Sequence, residues 1–256
     1  MTRIPSQRSR WPRSDGPVEG FQLTLLGGFT LRHGGSTVRL APSGQRLLAF
    51  LALHQRHPRG YVASMLWPEQ SQEHALASLR TTLWRVRSRA PEVLSPTRHD
   101  VALHPDVAVD IQLLAEIAQY FLDGNGPRPP VDPHAVLDVL ASPGELLPGW
   151  YDDWVLMERE RVRLQHVRAL EALAEQLLNH QRPSDALRAA LTATTLEPFR
   201  DSAHTVVVRA YLSEGNTAEA IRHFRHYRSQ LLEELGVEPS PALQELIHPH
   251  LTGIVG

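Results

Sequence analysis

A sequence repeat in the C-terminal part of the chain constrains its fold most strongly. Five positions between residues 178 and 188 match five positions that lie 34 residues later. Leu178, Asp185, Ala186, Leu187 and Arg188 correspond to Leu212, Glu219, Ala220, Ile221 and Arg222. A period of about 34 residues is typical of tetratricopeptide repeats, in which each unit is a helix pair joined by a tight turn. The pattern predicts stacked helix pairs with a concave surface for protein contacts.

The two predicted turns of this repeat differ. The second is Glu214-Gly215-Asn216, whereas the first is His180-Gln181-Arg182 and has no glycine. Helical spacing of apolar residues also predicts a long helix from about Val155 to His180. It follows a dense apolar and acidic cluster at residues 145–154.

The last repeat unit has a helical apolar stripe. Five of its residues are expected to point inward: Ile221, Phe224, Tyr227, Leu231 and Leu235. His223 is expected on the outer side of that helix. Residues 111–256 are therefore predicted to be an all-α, tetratricopeptide-like domain.

The pattern is different near the N-terminus, where apolar and polar residues alternate from Phe21 to Leu25 and again around Phe29 and Leu31. A period of two predicts β-strands. The glycine pair in residues 33–36 predicts a hairpin turn, after which Val38 and Leu40 should continue the strand.

Two helices are expected next. The first starts at Pro42 and has an inward face made of Leu47, Leu48, Leu51 and Ala52. The second is short, at residues 61–67, and should turn Met65, Leu66 and Trp67 toward the core.

The segment from Ser71 to Ala90 predicts a third helix, capped by Ser71. Four apolar residues form a stripe within about 80° of arc: Leu76, Leu79, Leu83 and Val86. The remaining surface carries small, hydroxylated and basic side chains that suit contacts with base edges and phosphates. The candidate DNA-binding residues are His74, Ser78, Arg80, Thr81, Trp84, Arg85, Arg87, Ser88 and Arg89. A solvated amphipathic helix is the alternative for such a segment taken alone.

A β-hairpin is predicted after this helix, with strands at about residues 93–95 and 101–104. A sheet, three helices and a closing hairpin make a winged helix-turn-helix domain over residues 21–110. That geometry places the third helix in the major groove and the hairpin tip at the minor groove, where Thr97, Arg98 and His99 are candidate contacts. The fold class is thus mainly α with a small β component: a winged helix-turn-helix domain, then the helical domain.

Charge supports this division. Residues 1–110 contain 14 arginines and 8 acidic residues, a net charge of +6, whereas residues 111–256 have a net charge of −8. The basic part indicates a polyanionic partner and the acidic part a different one.

Composition excludes several kinds of chemistry. The chain contains neither cysteine nor lysine, which rules out thiolate nucleophiles, Cys-based zinc sites, Schiff bases and the P-loop lysine. The histidine pairs His223/His226 and His248/His250 lack a suitable third ligand, and the carboxylates at 152–153, 158 and 160 fit structural ion pairs. We expect no enzyme activity, no cofactor and no metal.

Three segments resemble one family, the Streptomyces antibiotic regulatory proteins. They are LLGGFTLRHGGSTVRLAPSGQRLLAFLAL, LWPEQSQEHALASLRTTLWRVRSRA, and the pair ELLPGWYDDWVLMERERVRL with GNTAEAIRHFRHYRSQLLEELGVEPSPAL. The family combines an OmpR-type winged helix with a bacterial transcriptional activation domain, and the chain is similar to its short members. At the wing it departs from the family, which commonly has a Pro-Gly-Tyr type tip where this chain has residues 96–100. Trp84 is also bulky for a residue in the major groove.

The resemblance implies a transcriptional activator of a secondary-metabolite (antibiotic) gene cluster. It would bind direct repeats in double-stranded promoter DNA, as a homodimer or a side-by-side pair, and recruit RNA polymerase with its sigma factor. The alternative is a protein-interaction adaptor whose winged helix no longer binds DNA.

The N-terminal residues 1–20 are rich in Arg, Ser and Pro and are expected to be a disordered leader. They lack the apolar core of a secretory signal, and no apolar stretch is long enough to cross a bilayer. A cytoplasmic, nucleoid-associated protein is therefore expected.

Overall fold

The computed structural model describes residues 20–123, 133–141 and 144–252. Apart from Gly20 and Asp123, the predicted leader at 1–20 and the Gly/Pro-rich segment at 123–132 lie outside these ranges. The chain forms two compact units, Met1–Leu114 with Pro143–Val162 (unit 1) and Ala115–Ser142 with Arg163–Gly256 (unit 2). The predicted domains, 21–110 and 111–256, have other bounds and stay a prediction. No helix in the described ranges combines the length and hydropathy needed to span a membrane.

Unit 1 begins with a small sheet. Strands β1 (Phe21–Thr24), β2 (Thr30–His33) and β3 (Ser36–Thr37) are antiparallel neighbours. A later strand, β6 (Ala108–Val109), pairs in parallel with β1, so the order is β3-β2-β1-β6.

The turn between β2 and β3 is formed by the predicted glycine pair. Gly34 and Gly35 have φ angles of 53° and 80°, which a two-residue hairpin turn of this kind requires. Strand β3 ends at Thr37 and is therefore shorter than the predicted strand, which continued through Val38 and Leu40. Val38 still donates a backbone hydrogen bond of 2.8 Å to the Leu31 carbonyl.

Three helices follow: α1 (Pro42–His54), α2 (Arg59–Leu66) and α3 (Gln72–Arg89). Helix α1 buries all four residues that were predicted to face inward. Helix α2 buries Val62, Ala63 and Leu66, whereas Met65 and Trp67 are only half-buried, so the predicted inward set was correct at Leu66 alone.

Residues 144–162 are also part of unit 1. Leu147 donates a backbone hydrogen bond to Leu25, and Leu26 forms an isolated β-bridge with Leu146. A Cβ added to Gly144 would lie 2.5 Å from the Cα of Gly27, so glycine is required where these two backbones meet. This segment therefore completes the N-terminal unit from a distant part of the sequence.

From Asp110 onward the described part of the chain is mainly helical, as predicted. The helices are α4 (Asp110–Asp123), α5 (Pro133–Ala141), α6 (Asp153–Asn179), α7 (Pro183–Leu196), α8 (Asp201–Ser213), α9 (Thr217–Leu235) and α10 (Pro241–Thr252). Helix α7 packs on α8 and on α5, and α9 packs on α8 and α10. Helices α4 and α6 each contribute residues to both units.

The two turns of the sequence repeat have the same backbone conformation. Gly215 has a φ of 74°, and the equivalent Gln181 has a φ of 58° although it is not glycine. Arg182 donates its backbone N–H to the Leu177 carbonyl at 2.9 Å, and Asn216 makes the same bond to Tyr211 at 2.9 Å. The absent glycine therefore leaves the turn intact.

Helix α9 differs from its prediction at two positions. Ile221, Phe224, Tyr227 and Leu231 are buried as expected. Leu235 is 54% exposed, because α9 ends there and Gly236 leaves the helix in the left-handed conformation. His223 is half-buried, and its ring stacks on His204 of α8.

Candidate nucleic-acid interface

Helix α3 is set by local signals that the sequence contains. The Ser71 hydroxyl accepts a hydrogen bond of 3.4 Å from the His74 backbone N–H, which caps the first turn as predicted. Glu73 lies in the first turn and Arg87 and Arg89 in the last, the arrangement that the helix dipole favours.

The buried face of α3 fixes which side chains remain outside. Leu79, Leu83 and Val86 are buried as predicted, but Leu76 is only half-buried. Ala75 and Thr82 take part in the core instead, since the helix is rotated toward that side of the stripe.

Most predicted contact residues on α3 are exposed together on the opposite side. The exposed ones are His74, Arg80, Thr81, Trp84, Arg85, Arg87, Ser88 and Arg89, and Ser78 is half-buried. At about 100° per residue, Ala77, Thr81, Trp84 and Ser88 share an arc of about 60°. The four arginines flank this arc on both sides.

The arginines of α3 differ from ten of the 17 other arginines in the described ranges. Ten arginines elsewhere form ion pairs with carboxylates, namely Arg46, Arg159, Arg161, Arg163, Arg182, Arg188, Arg200, Arg209, Arg222 and Arg228. The side chains of Arg80, Arg85, Arg87 and Arg89 make no ion pair or hydrogen bond with any residue in the described ranges. Their positive charge is thus uncompensated within the described structure and available to an anionic partner.

The hydroxyl groups on this side of α3 have internal acceptors. Thr81 donates to the Ala77 carbonyl at 3.1 Å, and Ser88 donates to the Trp84 carbonyl at 2.9 Å. Ser78 donates to the Gln70 side chain at 3.0 Å. Sequence patterns did not indicate these bonds, which leave the hydroxyls as acceptors rather than free donors.

A hairpin follows α3. Leu94 and Leu103 form an antiparallel bridge, and Ser95 donates to the Ala102 carbonyl at 2.9 Å. The candidate tip residues Thr97, Arg98 and His99 are all exposed. The hairpin thus places these three side chains at an exposed tip.

The tip is attached to the start of α2. Strand β5 (Asp100–Val101) pairs with β4 (His57–Pro58), and Arg59 donates its backbone N–H to the His99 carbonyl at 2.9 Å. The Arg59 guanidinium also donates to the Thr97 carbonyl at 2.8 Å. No local sequence pattern indicates these long-range contacts. They leave Arg98 as the tip arginine whose side chain has no partner in the described ranges.

The Asp110 side chain links two elements of unit 1 through hydrogen bonds. Its carboxylate accepts three backbone hydrogen bonds of 2.8 Å, from Leu25, Leu26 and Ile111. Burial raises the pKa of Asp110, and the three N–H donors oppose that rise. Asp110 therefore joins β1 to the first residues of α4.

Side chains of the segment 144–162 contact α1, and α1 packs on α3. The Arg46 guanidinium pairs with Asp152, and the buried Trp154 meets Phe50 edge to face with ring centroids 5.4 Å apart. Among the described residues, no group of three His, Cys, Asp or Glu side chains could hold a metal ion.

Comparisons with known proteins agree with this architecture. Residues 143–249 match the bacterial transcriptional activator domain family. The regulatory protein AfsR of Streptomyces coelicolor is 27% identical over 95% of the chain, which spans about a quarter (26%) of AfsR. The regulatory protein DnrI of Streptomyces peucetius is 26% identical, with 89% of this chain and 90% of DnrI covered.

A solved structure, Mycobacterium tuberculosis EmbR in complex with a low affinity phosphopeptide, superposes with a TM-score of 0.69. It is 21% identical and covers 91% of this chain and 65% of that chain, a likeness that concerns the fold. The domain match at residues 143–249 and the two similar regulators agree with the resemblance of this chain to the Streptomyces antibiotic regulatory proteins.

Proposed function

We propose that this protein is a transcriptional activator that binds double-stranded promoter DNA through α3 and the hairpin at residues 93–104. The observation that supports DNA binding most directly is the set of four exposed arginines on α3 that lack partners among the described residues. An exposed helix that needed only solubility would tolerate local carboxylates, as at Arg161, Arg182 and Arg222, each of which pairs with a carboxylate three residues away. Phosphate neutralisation requires free cations.

The order of elements supports a winged helix-turn-helix domain. A sheet precedes α1, α2 packs on α3, and the hairpin follows α3. In this arrangement α3 is the recognition helix in the major groove, with Arg80 and Arg85 at base edges or phosphates. Arg98 at the hairpin tip enters the adjacent minor groove, where Thr97 and His99 contact the backbone.

The helical part would supply the contacts for activation. Its match to the bacterial transcriptional activator domain and the regulatory names of the relatives support recruitment of RNA polymerase with its sigma factor. We expect the protein to bind direct repeats as a side-by-side pair, in the cytoplasm at the nucleoid, near genes of a secondary-metabolite cluster.

The test is a binding titration with a promoter fragment that footprinting identifies beside neighbouring biosynthetic genes. Arg85→Ala and Arg80→Ala should each weaken binding by about 1–3 kcal/mol and lower the salt slope by about 1. Both side chains are exposed, so the thermal stability should not change.

Arg225→Ala is the matched control, since Arg225 is an exposed arginine of α9 that makes no ion pair or hydrogen bond within the described ranges. It removes the same charge and should leave DNA binding unchanged. If all three variants bind like the parent, α3 is not the recognition helix and the adaptor alternative is favoured.

A further inference from the structure

Trp84 is an unexpected residue on the proposed recognition helix. Its side chain is 69% exposed, although a free indole surface in water is unfavourable. It lies in the middle of α3 and has arginines on both sides in sequence and around the helix, at positions 80, 85 and 87. An uncovered apolar group surrounded by cations fits a partner that is anionic at its edge and apolar at its centre.

The neighbours of Trp84 extend this apolar surface. Thr81 lies about one turn and Ala77 about two turns before it on the same arc of the helix. The Thr81 hydroxyl proton is engaged by the Ala77 carbonyl, so this side chain offers a methyl group and no free donor. Ser88, one turn after Trp84, is engaged in the same way by the Trp84 carbonyl.

This chemistry selects one feature of the major groove. The hydroxyl donors of Thr81 and Ser88 are engaged internally, and Trp84 adds a single N–H at the edge of a large apolar ring. Apolar contact is therefore the main means of discrimination on this arc. In the major groove the C5-methyl group of thymine is the apolar feature of the base edges, and the phosphates on both sides match the flanking arginines.

We infer that Ala77, Thr81 and Trp84 form an apolar strip that recognises thymine methyl groups, with Trp84 as the main contact. The inference rests on the proposed DNA-binding function and specifies what that site recognises. Discrimination between base pairs then depends on methyl contacts along this strip, while the arginines supply affinity and the contacts with guanine.

The test begins with selection of binding sites by the full-length protein from a library of random duplexes. Each thymine of the selected duplex is then replaced by deoxyuridine, which removes the methyl group alone. At one or two thymines we expect about a threefold to fourfold loss of affinity, the value for one buried carbon group. The Trp84→Ala protein should bind the thymine and deoxyuridine duplexes equally at those positions.

Tyr151→Ala is the matched control, because Tyr151 is 80% exposed in the same unit but lies outside α3. It should retain the full sensitivity to deoxyuridine. Circular dichroism at 222 nm should show parental helix content in both variants, since both side chains are exposed.

Three results would overturn the inference and leave the DNA-binding proposal standing. The selected site could lack thymine at every constrained position, deoxyuridine could act equally on the parent and Trp84→Ala, or Trp84→Ala could bind all sites as the parent does. By contrast, a failure of the proposed function would appear as unchanged binding in the Arg80 and Arg85 variants.

Discussion

The histidine pair between α8 and α9 makes the stability of unit 2 depend on pH. His204 Nε2 donates to the Pro198 carbonyl at 2.9 Å, so Nδ1 of His204 carries no proton and accepts from Nε2 of His223 at 2.9 Å. Burial, followed by the neighbouring His204 and His226, lowers the pKa of His223 to about 4. Both rings are therefore neutral in the folded protein at pH 7.

The sign of the effect follows from the unfolded state, in which His223 titrates near 6.5. Above that pH the contribution of His223 to stability is fully present, and it is lost as the pH falls toward 4 because the unfolded chain binds the proton first. The loss amounts to about 2 kcal/mol at pH 5 and about 3 kcal/mol at pH 4. Below pH 4 both states are protonated and no further loss arises from this group.

The variant that isolates the effect is His223→Gln, since the amide of glutamine can donate the same hydrogen bond to His204 without titrating. Urea unfolding followed by circular dichroism should show a parent that loses about 2 kcal/mol more than the variant between pH 7.5 and 5. His54 and His166, whose pKa values are also lowered by burial, are present in both proteins and cancel in the difference. Equal losses of unfolding free energy in the parent and the variant would refute the attribution of this pH dependence to His223.

Two further predictions concern stability. Gln181→Gly should stabilise the protein by about 1 kcal/mol, because Gln181 occupies a left-handed conformation that glycine adopts freely. Gly215→Ala should destabilise it by a similar amount for the same reason. Thermal unfolding measures both effects, and a destabilising Gln181→Gly or a stabilising Gly215→Ala would contradict the equivalence of the two turns. Trp154→Ala should cost about 3–5 kcal/mol, because Trp154 is 2% exposed and packs on Phe50, whereas Tyr151→Ala, at an 80% exposed site, should cost little; similar losses in these two variants would show that Trp154 does not support the core.

Local signals predicted the parts of the fold that depend on neighbouring residues. Strand alternation with Gly34 and Gly35 placed the hairpin, and Ser71 placed the start of α3, because a turn type or a helix cap is determined within a few residues. The 34-residue repeat predicted the helix pairs of unit 2, because each repeat unit is a helix pair whose two helices are neighbours in sequence. The exposed side of α3 followed from the position of its apolar stripe.

Features that depend on distant contacts were not predictable in this way. The pairing of Arg46 with Asp152 joins residues 106 positions apart, and nothing in either local pattern indicates it. The choice of Ala75 rather than Leu76 for the core depends on how α3 rotates against its neighbours, which periodicity alone leaves open. The engaged hydroxyl of Thr81 is likewise a rotamer choice that residue type does not fix.

The return of residues 143–162 to unit 1 has a consequence for chimeras between this chain and its relatives. Along the chain, unit 1 is interrupted by residues 115–142 and resumes before unit 2 continues. A single crossover between two relatives at any point from 115 to 162 therefore leaves at least one unit with parts from both parents. Transfer of unit 1 alone between two such chains requires either three crossovers, after residues 114, 142 and 162, or a single junction after residue 162 with compatible partners for residues 115–142.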